Sequence, residues 1–191
     1  MPATTIPTVP SFASNDSSLT NLQNLAYCAQ FLAVSAPHWQ FYSTASTAVP
    51  ATTATTMPME GSVSNDESAW TSPGYITVQT LGYYMCSYTL PVTSGFTVRA
   101  YLLLTPSASS PYFGGGARVF ALQSSFASTT AIVMNGSDMT PICCYPGDTI
   151  KVVCFASGAV TQVPKSTANG HLAASGALFP AFSGRYVSYG T

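Results

Sequence analysis

Few side chains in this sequence could do acid–base or nucleophilic chemistry. Its 191 residues include two histidines, His38 and His171, and six acidic residues. A hydrolase needs a positioned base, a nucleophile beside a base, or a pair of carboxylates. Neither histidine lies in a G-x-S-x-G or H-E-x-x-H pattern, and a turn histidine is the commoner interpretation of each. We therefore expect a non-enzymatic protein with no catalytic residues, and a glycosidase is the least favoured alternative.

The acidic residues also have plain structural roles. Asp16 is placed to cap a helix, and Asp148 completes a Pro-Gly-Asp turn. The polar cluster at 65–67 does not have the spacing of an EF-hand calcium loop. The glycines at 114–116 are not followed by the Gly-Lys-Ser of a phosphate-binding loop. We expect no metal site and no cofactor.

The number and spacing of the cysteines favour free thiols. There are five of them, with no C-x-x-C pair and no histidine at metal-ligand spacing. Cys86, Cys144 and Cys154 lie in apolar, strand-like runs, where cysteine behaves as a small hydrophobic residue. We expect buried, unpaired thiols and synthesis in a reducing compartment.

The most unusual property of the sequence is its lack of charge. Asp, Glu, Lys and Arg make up 6% of the residues, against about 25% in ordinary soluble proteins. Such a surface provides little repulsion between copies, and depletion of charge is typical of interface cores. The basic residues are scattered singly and the net charge is −1, so we expect no nucleic-acid partner. A neutral secreted protein with a hydroxyl-rich surface is the alternative.

The N-terminal part is predicted to be an extended arm followed by one helix. Residues 1–14 are rich in Pro, Thr and Ser, and they lack the basic and apolar regions of a signal peptide. No stretch is apolar over the ~20 residues that a membrane span needs, so no membrane partner is expected. Apolar residues then recur at helical spacing until Pro37, which predicts a helix over 18–34. Its candidate interface residues are Leu19, Leu22, Leu25, Ala29 and Leu32.

The helix carries no charged side chain, so its leucine stripe is suited to a groove or to sister helices. The stripe is too short to form a dependable coiled coil alone. Packing on the chain's own β domain is the alternative.

From residue 38 onward the sequence has the alternation of short β-strands separated by turns. The predicted strands are 39–43, 75–79, 83–90, 96–104, 118–126, 129–134, 141–145, 149–155 and 185–189, with further strand content near 55–59. Asn135-Gly136 is the strongest hairpin signal among the turns, and 62–68 is predicted to be a polar loop. We predict an all-β fold, an antiparallel jelly-roll β-sandwich over 62–191. The arm and helix at 1–37 and a strand with a Thr/Ala/Pro linker at 38–61 precede it.

The strand at 83–90 is expected to be covered on both sides, because both of its faces are apolar. Tyr83, Met85 and Ser87 share one face, while Tyr84 and Tyr88 share the other with a cysteine between them. The opposing sheet covers one face, and a subunit interface is the economical cover for the second. The candidate interface tyrosines are Tyr84, Tyr88 and, in the last strand, Tyr186.

Three motifs carry a resemblance to a known family. They are TLGYYMCSY at 80–88, YPGDTIKV at 145–152 and FSGRYV at 182–187. In this order they resemble the early G-x-Y strand, the P-G-D-x-[VI] turn and the closing F-S-G strand of the trimeric tumour-necrosis-factor-like jelly rolls. The resemblance covers 62–191 and implies a homotrimer.

The N-terminal part has a narrower resemblance. Its Pro/Thr arm, its Leu-rich helix ending before Pro37 and the loop leading to Trp70 are similar to minor structural proteins of tailed bacteriophages of actinobacteria. This implies a virion protein, made in the host cytoplasm and carried on the outer surface as a capsid decoration or a minor tail or fibre component. The arm and helix would then bind other virion proteins. The alternative is an adhesin that binds host-surface glycans through exposed Tyr and Trp.

Overall fold

The computed structural model describes most of the chain from Ala36 onward and five residues before it. The described residues are 22–23, 25–26, 29, 36–65, 70–71, 74–93, 95–111, 116–126, 132–137, 140–163 and 180–188. The five N-terminal ones, Leu22, Gln23, Leu25, Ala26 and Ala29, are all helical, in agreement with the predicted helix. Leu19, Leu32 and the predicted arm lie outside the described residues.

The described residues contain fourteen strands in two sheets. The first sheet has eight: β1 (His38–Tyr42), β2 (Thr47–Val49), β4 (Gly61–Asn65), β7 (Gly82–Val92), β10 (Ile132–Ser137), β11 (Ile142–Cys144), β13 (Val160–Gln162) and β14 (Ala181–Ser188). The second has six: β3 (Thr55–Thr56), β5 (Trp70–Thr71), β6 (Tyr75–Thr77), β8 (Val98–Thr105), β9 (Arg118–Ser125) and β12 (Thr149–Ala156).

The long strand β7 organises the first sheet. Its order is β2-β13-β7-β14-β1-β4, and β10 and β11 also pair with β7. The second sheet has the order β5-β6-β12-β8-β9, with β3 on β12. The ladders between these strands are antiparallel, which confirms the predicted all-β antiparallel architecture.

The core lies between the two sheets and is built by alternation. Along β7, Tyr84, Cys86, Tyr88 and Leu90 are buried, whereas the residues between them are half-buried. Strands β8 and β12 alternate over most of their length and supply the core from the opposite sheet. Burial of one large apolar side chain contributes about 1.5–3 kcal/mol, so the alternation determines which face of each sheet turns inward.

The sandwich begins at β1, earlier in the chain than the predicted boundary at residue 62. β1 lies inside the first sheet between β14 and β4, and β2 pairs with β13 at the edge of that sheet. β4 occupies much of the predicted polar loop, and its backbone pairs with β1. The segment 38–61 is therefore part of the sandwich and not a linker that precedes it.

The strongest hairpin prediction is wrong. Asn135 and Gly136 lie inside β10, where they pair with Thr89 and Tyr88 of β7. A Cβ atom at residue 136 would overlap the Tyr88 ring and would lie 2.6 Å from the carbonyl oxygen of Ala121. The glycine is thus required by close packing against an aromatic ring and not by a chain reversal.

The predicted Pro-Gly-Asp turn is confirmed. Gly147 has a φ of 89°, and the N–H of Asp148 donates to the carbonyl of Tyr145 at 2.9 Å. The Asp148 side chain is buried, and its carboxylate accepts the N–H of Ser107 at 2.7 Å and that of Tyr145 at 2.9 Å. Through these two hydrogen bonds, the Asp148 carboxylate links the turn to the segment that follows β8.

Candidate functional site

The three tyrosines assigned to an interface lie inside the sandwich. Tyr84, Tyr88 and Tyr186 are buried, and the rings of Tyr84 and Tyr186 meet edge to face with centroids 5.6 Å apart. The Tyr84 hydroxyl donates to the carbonyl of Thr80 at 2.8 Å. A buried ring leaves no surface for a neighbouring copy to cover. The assignment of faces is corrected accordingly: the face of β7 that carries Tyr84 and Tyr88 is the inward one.

We call the opposite surface of the first sheet the outer face. Two rows of side chains cross its centre over β1, β14 and β7. The first row is His38, Arg185 and Met85, and the second is Gln40, Ser183 and Ser87. Directly opposed residues of an antiparallel pair point to the same side of the sheet, so these six side chains share the outer face.

The outer face is concave at the two rows. Together with Ser137 of β10, they line a depression of about 660 Å³. The hydroxyls of Ser87 and Ser183 are hydrogen-bonded at 2.8 Å, and the Nδ1–H of His38 donates to the carbonyl of Ala36 at 3.2 Å. Arg185 is the only side chain of the two rows that is always charged. The rows offer hydrogen-bond donors and a nearly neutral surface, which suits binding better than bond-breaking chemistry.

Sequence reasoning did not identify the residues of the outer face as a site. Part of the signal was present, because alternation along β7 places Met85 and Ser87 together. Alternation does not say which face turns inward when both faces carry apolar side chains. The residues that join them from β1 and β14 depend on pairing between distant segments, which leaves no local pattern.

The described leucines of the N-terminal helix are open to solvent. Leu22 is 63% exposed and Leu25 is 59% exposed, and Ala29 is exposed as well. Exposed leucines one turn apart on a helix whose sequence carries no charge form an apolar stripe that the described residues leave uncovered. This argues against the alternative in which the stripe packs on the chain's own sandwich.

Two of the described cysteines, Cys143 and Cys154, have thiols that resist ionisation. Cys86, Cys144 and Cys154 are buried, as predicted, and none of them forms a disulfide; Cys143 is half-buried. Burial raises the pKa of the Cys154 thiol to about 12, and it is also the main cause that raises the pKa of Cys143. A thiol with a raised pKa is a poor nucleophile at neutral pH. Cys28 lies outside the described residues.

Several other residues weighed for chemistry lie outside the described parts of the chain, namely Asp16, Asp66, Glu67, Asp138 and His171. Glu60 is described, and its exposed carboxylate accepts the N–H of Thr44 at 3.0 Å. Where side chains are described, no group of three or more His, Cys, Asp or Glu residues is placed to hold a metal ion. The described helical residues form no helix that is long and apolar enough to cross a membrane.

Comparison with solved structures identifies the fold as a jelly roll of the tumour-necrosis-factor and C1q type, as predicted. Eiger TNF from S. frugiperda has a TM-score of 0.60 at 10% identity, covering 82% of this chain and 95% of that chain. The globular domain of zebrafish complement 1qA protein has a TM-score of 0.54 at 11% identity, covering 81% and 99%. Murine APRIL has a TM-score of 0.55 at 9% identity, covering 79% and 98%. No protein-family model and no curated protein matches the sequence.

Proposed function

We propose that this chain is a non-enzymatic structural protein that associates with copies of itself through the outer face. The proposal rests on the types of side chain that lie at the centre of the outer face. Five of the six side chains in the two rows carry no permanent charge, and the rows form a concave surface at the centre of the sheet. A surface with few charges repels a second copy weakly and is typical of the cores of protein interfaces.

The proposed assembly is a homotrimer. The jelly-roll fold is shared with the tumour-necrosis-factor-like proteins, and the three sequence motifs resemble those of that trimeric family. The overall lack of charge supports the same proposal, because copies of this chain repel one another weakly.

The proposed location is the outer surface of a bacteriophage particle, as a capsid decoration or a minor tail component. What supports it is the N-terminal resemblance to phage structural proteins, together with the exposed leucines of the helix. The helix would bind other virion proteins while the sandwich faces outward. The uncharged helical stripe is suited to an apolar groove on such a partner.

Sedimentation velocity of the purified protein at micromolar concentration tests the assembly. We expect a species of about three times 19.9 kDa. Met85→Lys places a second cation beside Arg185 on the outer face, so it should shift the protein to monomer. Leu103→Lys is the matched control, because Leu103 is also half-buried but lies on the second sheet. A monomeric wild-type protein, or a Met85→Lys protein that still sediments as a trimer, contradicts the proposal.

The alternative function is a glycan-binding head, which would use exposed aromatic rings. Phe126, directly after β9, is 85% exposed and supports this candidate, whereas Trp39 is buried in the core. A glycan array with reproducible hits that disappear in Phe126→Ala would favour the adhesin. An array without hits leaves self-association as the proposed function.

A further inference from the structure

Arg185 occupies the centre of the outer face. It lies on β14, between β1 and β4 on one side and β7 and β10 on the other. Its neighbours across the two ladders are His38 and Met85. A copy that covers this face would therefore remove water from the guanidinium group.

The guanidinium has no carboxylate near it among the described residues. None of the side chains that line the depression is acidic. Of the described acids, Glu60 accepts the N–H of Thr44, and the Asp148 carboxylate is buried in its own turn. Burying a charge without a counter-charge costs several kcal/mol, so an anionic group at this position favours an association that covers Arg185.

The second row of the outer face supplies donors for such a group. When one of the two hydroxyls of Ser87 and Ser183 donates to the other, the accepting hydroxyl keeps its own proton to donate elsewhere. The Gln40 side chain is exposed on the same row and adds an amide donor. Rows in register along a strand are about 6.6 Å apart, which is within the reach of an arginine side chain.

We propose that the depression on the outer face binds a small oxyanion, of the phosphate or sulfate class, which neutralises Arg185 between associated copies. The proposal rests on the proposed function, because the anion is needed only where copies cover the face. Arg185 provides the charge and a planar set of donors, and the serine pair and Gln40 complete the hydrogen bonds. The bound anion thereby becomes part of the interface between copies.

The test is sedimentation velocity over a range of protein concentrations, with inorganic phosphate as the probe. Phosphate is compared with chloride at the same ionic strength and pH, so that screening is equal in both. We expect phosphate to lower the protein concentration at which wild-type copies associate by at least about tenfold, the size of one charge-assisted hydrogen bond. Arg185→Gln keeps a polar side chain but removes the charge, and it should associate equally in both salts.

Arg99→Gln is the control, since Arg99 is exposed on the second sheet and should leave the phosphate effect unchanged. Wild-type association that is the same in phosphate and chloride overturns the anion site but leaves self-association standing. A protein that stays monomeric in both salts overturns the site together with the proposed function. A phosphate effect that persists in Arg185→Gln also overturns the site.

A carboxylate from a neighbouring copy is the other source of negative charge. Asp138 follows Ser137 in the sequence, and Asp138→Asn tests it. If phosphate does not change association but Asp138→Asn weakens it, the proposed free anion is overturned. The Asp138 carboxylate is then identified as the counter-charge.

Discussion

Trp39 and Gly184 face each other across the β1–β14 ladder, and the indole ring occupies the space that a Cβ atom of residue 184 would take. The Trp39 ring also contacts Tyr84 and Phe182, with centroid distances of 5.5 Å and 5.8 Å. The largest side chain of the core therefore packs directly against the smallest residue of the neighbouring strand. This contact fixes the packing of β14 against β1 on the inward side, beneath the outer face.

Gly184→Ala should lower the free energy of unfolding by about 1–3 kcal/mol, because the added methyl group overlaps a ring that is held on its other sides. Urea denaturation monitored by circular dichroism measures the change. The same substitution should cost less in a Trp39→Phe background, where the smaller ring leaves room for the methyl group. Equal costs in the two backgrounds would show that the indole is not the cause.

Asp148→Asn should lower the free energy of unfolding by about 1–3 kcal/mol. The buried carboxylate accepts the N–H groups of Ser107 and Tyr145, and an amide has only one accepting oxygen to offer them. Glu60→Gln is the matched control, because the Glu60 carboxylate also accepts a backbone N–H but is exposed. We expect its cost to stay below about 1 kcal/mol by urea denaturation. A larger effect for Glu60→Gln than for Asp148→Asn would contradict this role of burial.

The fold follows from local signals wherever alternation is long. β7, β8 and β12 are predicted within about two residues because a period of two runs through most of each strand; β9 is predicted equally well although its burial does not alternate. Four strands escape prediction: β2, β5 and β13 have two or three residues each, and β4 has five mostly polar or small residues that read as a loop. Such short strands are defined by their partners, and no local pattern of that length is distinctive.

The candidate site depends on which face of β7 turns inward, and the glycines carry that information. Gly136 lies opposite Tyr88 and Gly184 lies opposite Trp39, each making room for a ring on the inward side. The register between distant strands decides these pairs, so the sequence alone presents Asn135-Gly136 as a turn. Because both faces of β7 are apolar, the tyrosines were the more conspicuous candidates for an interface. The outer face, with Arg185 at its centre, is visible only when β1, β14 and β7 are aligned.

Removal of residues 1–35 should leave a folded sandwich. Ala36 packs against the core, and the carbonyl of Pro37 accepts the N–H of Tyr186 at 2.7 Å, so a chain that begins at Ala36 keeps both contacts. We expect the urea midpoint to stay close to that of the full chain, while the shortened protein fails to join the proposed phage particle when supplied in trans. Leu22→Gln with Leu25→Gln in the full chain should give the same loss. An unfolded or aggregated remainder would instead place the helix in the core.

The stability of the protein should fall at alkaline pH, and Cys154 should be one measurable cause. Burial raises the pKa of its thiol to about 12, whereas an unfolded cysteine titrates near pH 8.5. Above about pH 8.5 the unfolded chain releases this proton and the folded chain keeps it. The buried thiol therefore makes its full contribution to the free energy of unfolding below about pH 8.5. That contribution to stability is lost as the pH rises towards 12, by up to about 1.4 kcal/mol for each pH unit.

Urea denaturation of the wild-type protein and of Cys154→Ala at pH 7.5, 9 and 10 measures this contribution. Cys154→Ala should be less stable at pH 7.5, because it leaves a small cavity in the core. The difference between the two proteins should then shrink as the pH rises, since only the wild-type protein carries the buried thiol. The range stops at pH 10, the usual pKa of tyrosine, to limit the effect of Tyr88, whose pKa is raised above its usual range by burial first and also by the charge of Cys154. A difference that stays constant from pH 7.5 to 10 would show that the thiol at Cys154 ionises as readily in the folded chain as in the unfolded one.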